Sequence, residues 1–201
     1  MLTCGAASRA AFVFGSLSPI IKGAMATTPT RLMTFAEFEQ LPDPREGHYE
    51  LHHGELVHMP PPKMGHYDLQ RRLRRLLEAS AGGHWEIDIE MAFRPRPELE
   101  FWTADVGAIS PERYMQGRDD GYIQGPPELV IEVLSPSNSA TEMEEKSETC
   151  LAAGAREFWV VSPIRKTVAV FTPDGRSVRY HAGQRVPLFF GGTLAVDDIF
   201  S

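Results

Sequence analysis

From residue 34 onward the spacing of apolar residues divides the chain into helical and extended segments. Thr34, followed by Glu37, has the form of a helix-capping box, and Phe35, Phe38 and Leu41 share one face before Pro42, which predicts a short helix. The string YELHHGELVHM reads as two extended pieces joined at His53-Gly54, a hairpin, and Pro60-Pro61-Pro62 after it is a stiff connector. Leu69, Leu73, Leu76 and Leu77 recur at helical spacing, so residues 66–79 read as a helix ended by Gly82-Gly83. Residues 85–94 alternate Trp85, Ile87, Ile89, Met91 and Phe93 with Glu86, Asp88 and Glu90, the pattern of a half-buried strand.

Further strands are expected over residues 101–109 and 128–134, with the charged, glycine-bearing stretch 111–127 between them as an irregular loop. SPSNSA marks a turn, after which residues 142–153 form a helix closed by Gly154. A strand over 156–162 precedes a hairpin, 167–171 and 177–180, turned by Pro173-Asp174-Gly175. From His66 the order is helix, three strands, helix, strand, with a hairpin at each end. That is an α/β protein.

Composition narrows the picture. The 201 residues are 42% apolar and 23% charged, enough for one well-buried core, and 33–201 is expected to be a single domain. Residues 1–32 differ: up to Met25 there is no acidic residue, and the apolar stretch after Arg9 is cut by Gly15 and Pro19. We expect a disordered leader or an upstream extension of the reading frame, with Met25 or Met33 as the working start. No apolar run reaches the roughly 18 residues of a membrane span, so a cytoplasmic protein without a membrane partner is expected. Cys4 and Cys150 lack metal-binding or redox spacing. The net charge of −7 argues against holding nucleic acid by general electrostatics, but not against a local basic strip beside an acidic metal site.

Two carboxylates break otherwise apolar strands. Asp105 lies between Ala104 and Val106, and Glu132 lies within LVIEVL. A buried carboxylate is unfavourable unless paired or metal-bound, and hard cations such as Mg²⁺ require oxygen ligands. Each residue taken singly could equally point outward from an alternating strand. Glu132, however, has none of the alternation seen at 85–94, which suggests a strand covered on both faces. Lys146, on the following helix, is the third candidate: it would orient or deprotonate a water, or stabilise charge on a phosphate.

The string GPPELVIEVLSPSNSATEMEEKSETCLAAGAREFWVVSP, with TADVGAISPERY and HYELHHGELVHMPPP upstream, resembles the Uma2 family of restriction-endonuclease-like proteins over residues 33–201. The resemblance implies the PD-(D/E)xK nuclease fold, whose core order matches the one above. It places Asp105 as the aspartate of the PD motif and Glu132 as the second acid, both metal ligands, with the Val133 carbonyl beside them. The lysine that commonly follows two residues later is replaced by Leu134, and Lys146 stands where this family carries it. Ala104 replaces the motif's proline, and Glu142 stands where relatives carry a helix-opening aspartate.

Glu50 and Glu55 match acidic positions of the family and are candidate additional site residues, as is His66 at the start of the long helix. Arg71, Arg72, Arg74 and Arg75 give that helix a side suited to DNA phosphates, or simply a solvated face balanced by Glu78. The expected activity is Mg²⁺- or Mn²⁺-dependent hydrolysis of DNA phosphodiesters, with a homodimer as one way to cut two strands. The alternatives are a catalytically idle nuclease fold that binds or regulates, and a zinc hydrolase built on His48, His52, His53 or His58. The last lacks an HExxH motif.

Overall fold

The computed structural model describes residues 31–135 and 139–201, so most of the expected leader, including Cys4 and Met25, lies outside the described residues. Every element below belongs to the unit Leu32–Ser201. In chain order they are α1 (Phe35–Phe38), β1 (His48–His52), β2 (Glu55–Met59), α2 (Met64–Ala81), β3 (Glu86–Arg94), β4 (Trp102–Ile109), α3 (Pro111–Asp120) and β5 (Ile123–Gln124). There follow β6 (Leu129–Val133), α4 (Ala140–Ala152), β7 (Glu157–Ser162), β8 (Thr167–Phe171), β9 (Ser177–Tyr180), β10 (Arg185–Pro187), β11 (Thr193–Ala195) and α5 (Val196–Phe200).

Local chemistry sets most boundaries. Thr34 and Glu37 form the expected capping box, and Ser139 forms a second with Glu142. Glu142 is therefore not the residue that opens α4: its carboxylate reaches back to the Ser139 N–H and completes the cap. α2 ends at Gly82, which adopts the left-handed conformation that glycine enters without a Cβ clash.

The expected loop over 111–127 is instead α3 followed by β5. Pro111 is at the start of the helix, where its fixed φ and missing N–H cost nothing, and Glu112 complements the first turn. Gly117, which looked like a loop residue, sits where a Cβ would come within 3.0 Å of Ile123. The glycine permits close packing of helix on strand.

Seven strands form one mixed sheet in the order β5-β3-β4-β6-β7-β8-β9, with β6 and β7 parallel and joined through α4. All of β6 is buried, as its missing alternation implied. Leu129, Ile131 and Val133 pack with Leu69, Leu73 and Leu77 of α2. Val130 packs with Phe93, Trp102 and Cys150 on the opposite face, beneath α4. The C-terminal hairpin β8–β9 extends this same sheet, and beyond it β10, β11 and α5 close the α2 side, elements the sequence did not announce. The N-terminal hairpin β1–β2 is a separate two-stranded sheet, tied to the start of β4 by reciprocal backbone hydrogen bonds between Leu51 and Phe101.

One step in the β3–β4 ladder is irregular. Ile89 pairs with Val106 and Met91 with Ala104, but the intervening pair, Glu90 and Asp105, is missing. Glu90 has φ 51°, a left-handed conformation that costs a non-glycine residue about 1–3 kcal/mol. Inward side chains change faces there: Ile87 and Val106 join the core under α2, whereas Phe93 and Ala104 join the one under α4. The simple alternation expected for residues 85–94 therefore fails at Glu90. Among the described residues no helix is long and apolar enough to cross a membrane.

Candidate active site

β6 pairs with β4 only over Val106, Gly107 and Ala108. Past that point side chains complete the hydrogen bonding of both strands, and the candidate residues gather there. Continued by one step, the register sets Asp105 opposite Glu132. The ladder breaks instead, and the Val133 N–H donates to Asp105 Oδ2 at 2.6 Å. Thr103, two residues before Asp105, is held similarly: its N–H donates to Glu50 Oε1 at 2.8 Å, and its carbonyl accepts from Lys146 Nζ at 3.1 Å.

On the α4 side, Lys146 Nζ lies 2.8 Å from Glu132 Oε1, and both residues are over nine-tenths buried. That oxygen has the ion-pair distance but no partner at hydrogen-bond geometry. Burial pushes the Glu132 carboxyl up, with Lys146 opposing and Asp105 adding to the rise. Burial would lower Lys146, but the charges of Glu132 and Glu50 overcome it, so its ammonium is held charged. A lysine held in that state is no base for water. Its chemistry here is electrostatic.

Glu50, 1% exposed, is the second acid facing Lys146. Beyond Thr103 it accepts from His52 Nε2 at 2.6 Å and has His48 Nε2 at 3.4 Å. Burial alone would raise Glu50, yet Lys146 and the two histidines together hold it well below the usual carboxylate range. His48 and His52 thus share one strand face, as their spacing implied, but their partner is a carboxylate. Among the described residues no group of three or more His, Cys, Asp or Glu side chains is arranged to hold a metal ion, neither at these histidines nor around Asp105 and Glu132. Glu55 is exposed beside the hairpin turn, and no hydrogen bond or ion pair among the described residues joins it to the cluster.

On the α2 side, His66 Nε2 meets Asp105 Oδ1 at 2.8 Å, and that hydrogen bond, opposed by burial, raises the imidazole. Gln70 Nε2 also donates to Asp105 Oδ1, at 2.8 Å, and to Glu90 Oε1, at 2.5 Å. Gln70 and Glu90 were missed by the sequence reading. Gln70 had left a signal: it follows His66 by four residues and lies in line with Leu73 and Leu77, a polar residue on an apolar stripe. Glu90 left none, because its position depends on one backbone dihedral.

The arginines of α2 are unequal. Arg74 is bound to Glu78 at 2.8 Å and Asp88 at 2.9 Å, and Arg72 reaches the Ile199 carbonyl at 3.5 Å. Arg71 lies over the Tyr67 ring, and neither it nor exposed Arg75 has an ion pair among the described residues. Cys150 is buried and unpaired, and burial pushes its thiol up, which makes it a poor nucleophile.

The donor set suits a divalent cation in one respect. A carboxylate offers about four lone-pair directions; Asp105 commits three, to His66, Gln70 and Val133, leaving one, and Glu132 Oε1 is without a hydrogen bond. Together with the Val133 carbonyl these are oxygen ligands of the kind Mg²⁺ or Mn²⁺ takes.

Comparison with known proteins agrees on the fold. A crystal structure described as a putative nuclease belonging to DUF820, from Anabaena variabilis ATCC 29413, superimposes with a TM-score of 0.72 at 22% identity, covering 84% of this chain and 97% of that one. No curated protein matches the chain. The Uma2 family, described as "Putative restriction endonuclease", matches residues 35–196. With that match spanning most of its length, the chain belongs to the Uma2 family.

Proposed function

We propose that the protein is a Mg²⁺- or Mn²⁺-dependent endonuclease that hydrolyses DNA phosphodiesters at the Asp105–Glu132–Lys146 cluster. The observation that carries this reading is the broken ladder between β4 and β6, where the Val133 N–H donates to Asp105 Oδ2 and the register would set Asp105 opposite Glu132, whose Oε1 has the Lys146 ion pair but no hydrogen bond. Asp105, Glu132 and the Val133 carbonyl would hold the cation, which when bound supplies Lewis acidity at the phosphate and a more acidic water. Lys146 balances the acids and stabilises charge that develops on the phosphate. His66 holds Asp105 in one rotamer and keeps its own proton beside it. Arg71 and Arg75, the α2 arginines without ion pairs, are available for backbone phosphates.

Purified protein incubated with plasmid and Mg²⁺ or Mn²⁺ should cleave it, and EDTA should stop the reaction. Asp105→Asn and Glu132→Gln should each lose on the order of 10³-fold or more, since a metal's charge stabilisation amounts to several kcal/mol and each 1.36 kcal/mol is tenfold. Equal cleavage by wild type and both variants would defeat the proposal.

A second reading, a nuclease fold that binds without cutting, is favoured by the closed Glu132–Lys146 pair: both acids already have protein partners. It predicts DNA binding unaffected by EDTA and no cleavage under any divalent cation.

A further inference from the structure

The irregular step in the β3–β4 ladder lies directly beneath α2. Gln70, fully buried, places its amide nitrogen between two carboxylates, Asp105 on one strand and Glu90 on the other. An amide nitrogen carries two hydrogens, and here each has its own acceptor. The amide oxygen has no hydrogen-bond partner, so the group is turned wholly toward the acids at the expense of its own acceptor. Glu90 reaches the amide only because its backbone takes a positive φ, a conformation unfavourable for glutamate and absent from its neighbours in β3.

We propose that Gln70 is a positioning residue for Asp105 and that Glu90 acts through it, by fixing which way the amide faces. Flanked by Asp105 alone, the amide could turn and present its oxygen elsewhere, satisfying the acceptor and abandoning the carboxylate. Flanked by two carboxylates, it gains two charge-assisted hydrogen bonds in one orientation and two repulsive contacts in the other. Glu90 thus selects the orientation that immobilises Asp105 Oδ1. With Val133 on Oδ2, the carboxylate is fixed at both oxygens, and its remaining lone pair has one direction. The strained conformation at Glu90 both carries the change of faces in β3 and aims the carboxylate at Gln70. This inference rests on the reading of Asp105 as a cation ligand.

Titration calorimetry of the full chain with MnCl₂, beside thermal unfolding in EDTA, tests it. Wild type should bind Mn²⁺ and Asp105→Asn should not. Gln70→Leu, close in bulk and without donors, should bind 10- to 100-fold more weakly, the range typical when groups that orient a ligand are removed. Glu90→Gln should weaken binding in the same direction. The Gln70→Leu/Glu90→Gln double variant should be no weaker than Gln70→Leu alone, because Glu90 has no separate route to Asp105. Glu90→Gly should separate the two properties: weaker Mn²⁺ binding, with an unfolding temperature in EDTA equal to or above that of wild type once strain is relieved. A residue that merely supports the fold would move both downward.

If Asp105→Asn abolishes binding while Gln70→Leu and Glu90→Gly bind like wild type, the positioning role is refuted and the Asp105 site survives. If wild type does not bind Mn²⁺, or Asp105→Asn binds it equally well, the cation reading fails and takes this inference with it. Should Gln70→Leu not fold, Glu90→Gln, which preserves shape, decides alone.

Discussion

The two faces of the sheet furnish the site in different ways. On the α4 side a single buried ammonium serves two buried carboxyls, Glu132 and Glu50. On the α2 side Asp105 and His66 remain 17% and 19% exposed, and Asp105 is held by hydrogen bonds from an imidazole, an amide and a peptide N–H. The buried face fixes charge and the more exposed face fixes direction. A hydrolytic site needs both, because desolvated charge is strong and an accessible carboxylate can exchange partners with incoming ions. The comparison implies that damage on the α4 side appears first in stability and damage on the α2 side first in ligand binding.

Removing Lys146 should give the largest stability loss. Lys146→Met leaves two buried carboxyls without their cation, and breaking a buried pair from one side typically costs about 3–5 kcal/mol. For a domain of this size that lowers the unfolding temperature by on the order of 10 °C. Lys146→Met combined with Glu132→Gln should recover part of the loss, because a neutral amide tolerates the apolar surroundings. Calorimetric unfolding of the single and double variants checks this. A double variant as unstable as the sum of its parts would show that Lys146 and Glu132 are not coupled.

The two acids that face Lys146 should also respond oppositely to pH. Glu50 has a folded-state pKa below its ordinary value of 4.5, so it stabilises the fold above that pH and the contribution disappears as pH falls through the depressed value. Glu132 is shifted upward by burial, with Lys146 opposing, so holding it ionised in the fold costs stability as pH rises above 4.5. Glu50→Gln should therefore cost about 2 kcal/mol at neutral pH and progressively less as pH falls below 4.5, the loss being that of hydrogen bonds to a charged group. Glu132→Gln should flatten the decline on the alkaline side. Urea unfolding between pH 3 and 9 reads both, and matching pH profiles for the two variants would erase the distinction between them.

The legible parts of this molecule were those in which local pattern and tertiary role coincide. β6 advertised itself through unbroken apolar residues, α2 through its leucines, and the first capping box through Thr34 and Glu37, whereas the second, Ser139 with Glu142, was read as a turn before the helix. Asp105 and Glu132 stood out because charge in an apolar run conflicts with burial, and Lys146 through its place on the following helix and the family resemblance. α3 was lost because Gly117 and a string of charged residues read as a loop, when the glycine serves a helix–strand contact settled only in three dimensions. The Glu90 side of the site was lost for a sharper reason. Alternation presumes a regular strand, and the functional geometry arises where β3 stops being one.

The smallest effects should come from the outer surface of α2. Arg74 is already committed to Glu78 and Asp88, so Arg74→Ala exchanges two partly exposed ion pairs for water, changing stability by under about 1 kcal/mol. It should barely alter DNA affinity. Arg71 and Arg75 lack such pairs, and if this face meets the duplex, each alanine substitution should lower the slope of log affinity against log salt by about one. The measurement is DNA binding with Ca²⁺ in place of Mg²⁺ to prevent cleavage, across a range of NaCl. A change in slope for Arg74→Ala equal to those for Arg71→Ala and Arg75→Ala would mean that the ion pairs open on binding. No change for any of the three would place the DNA-facing surface elsewhere than α2.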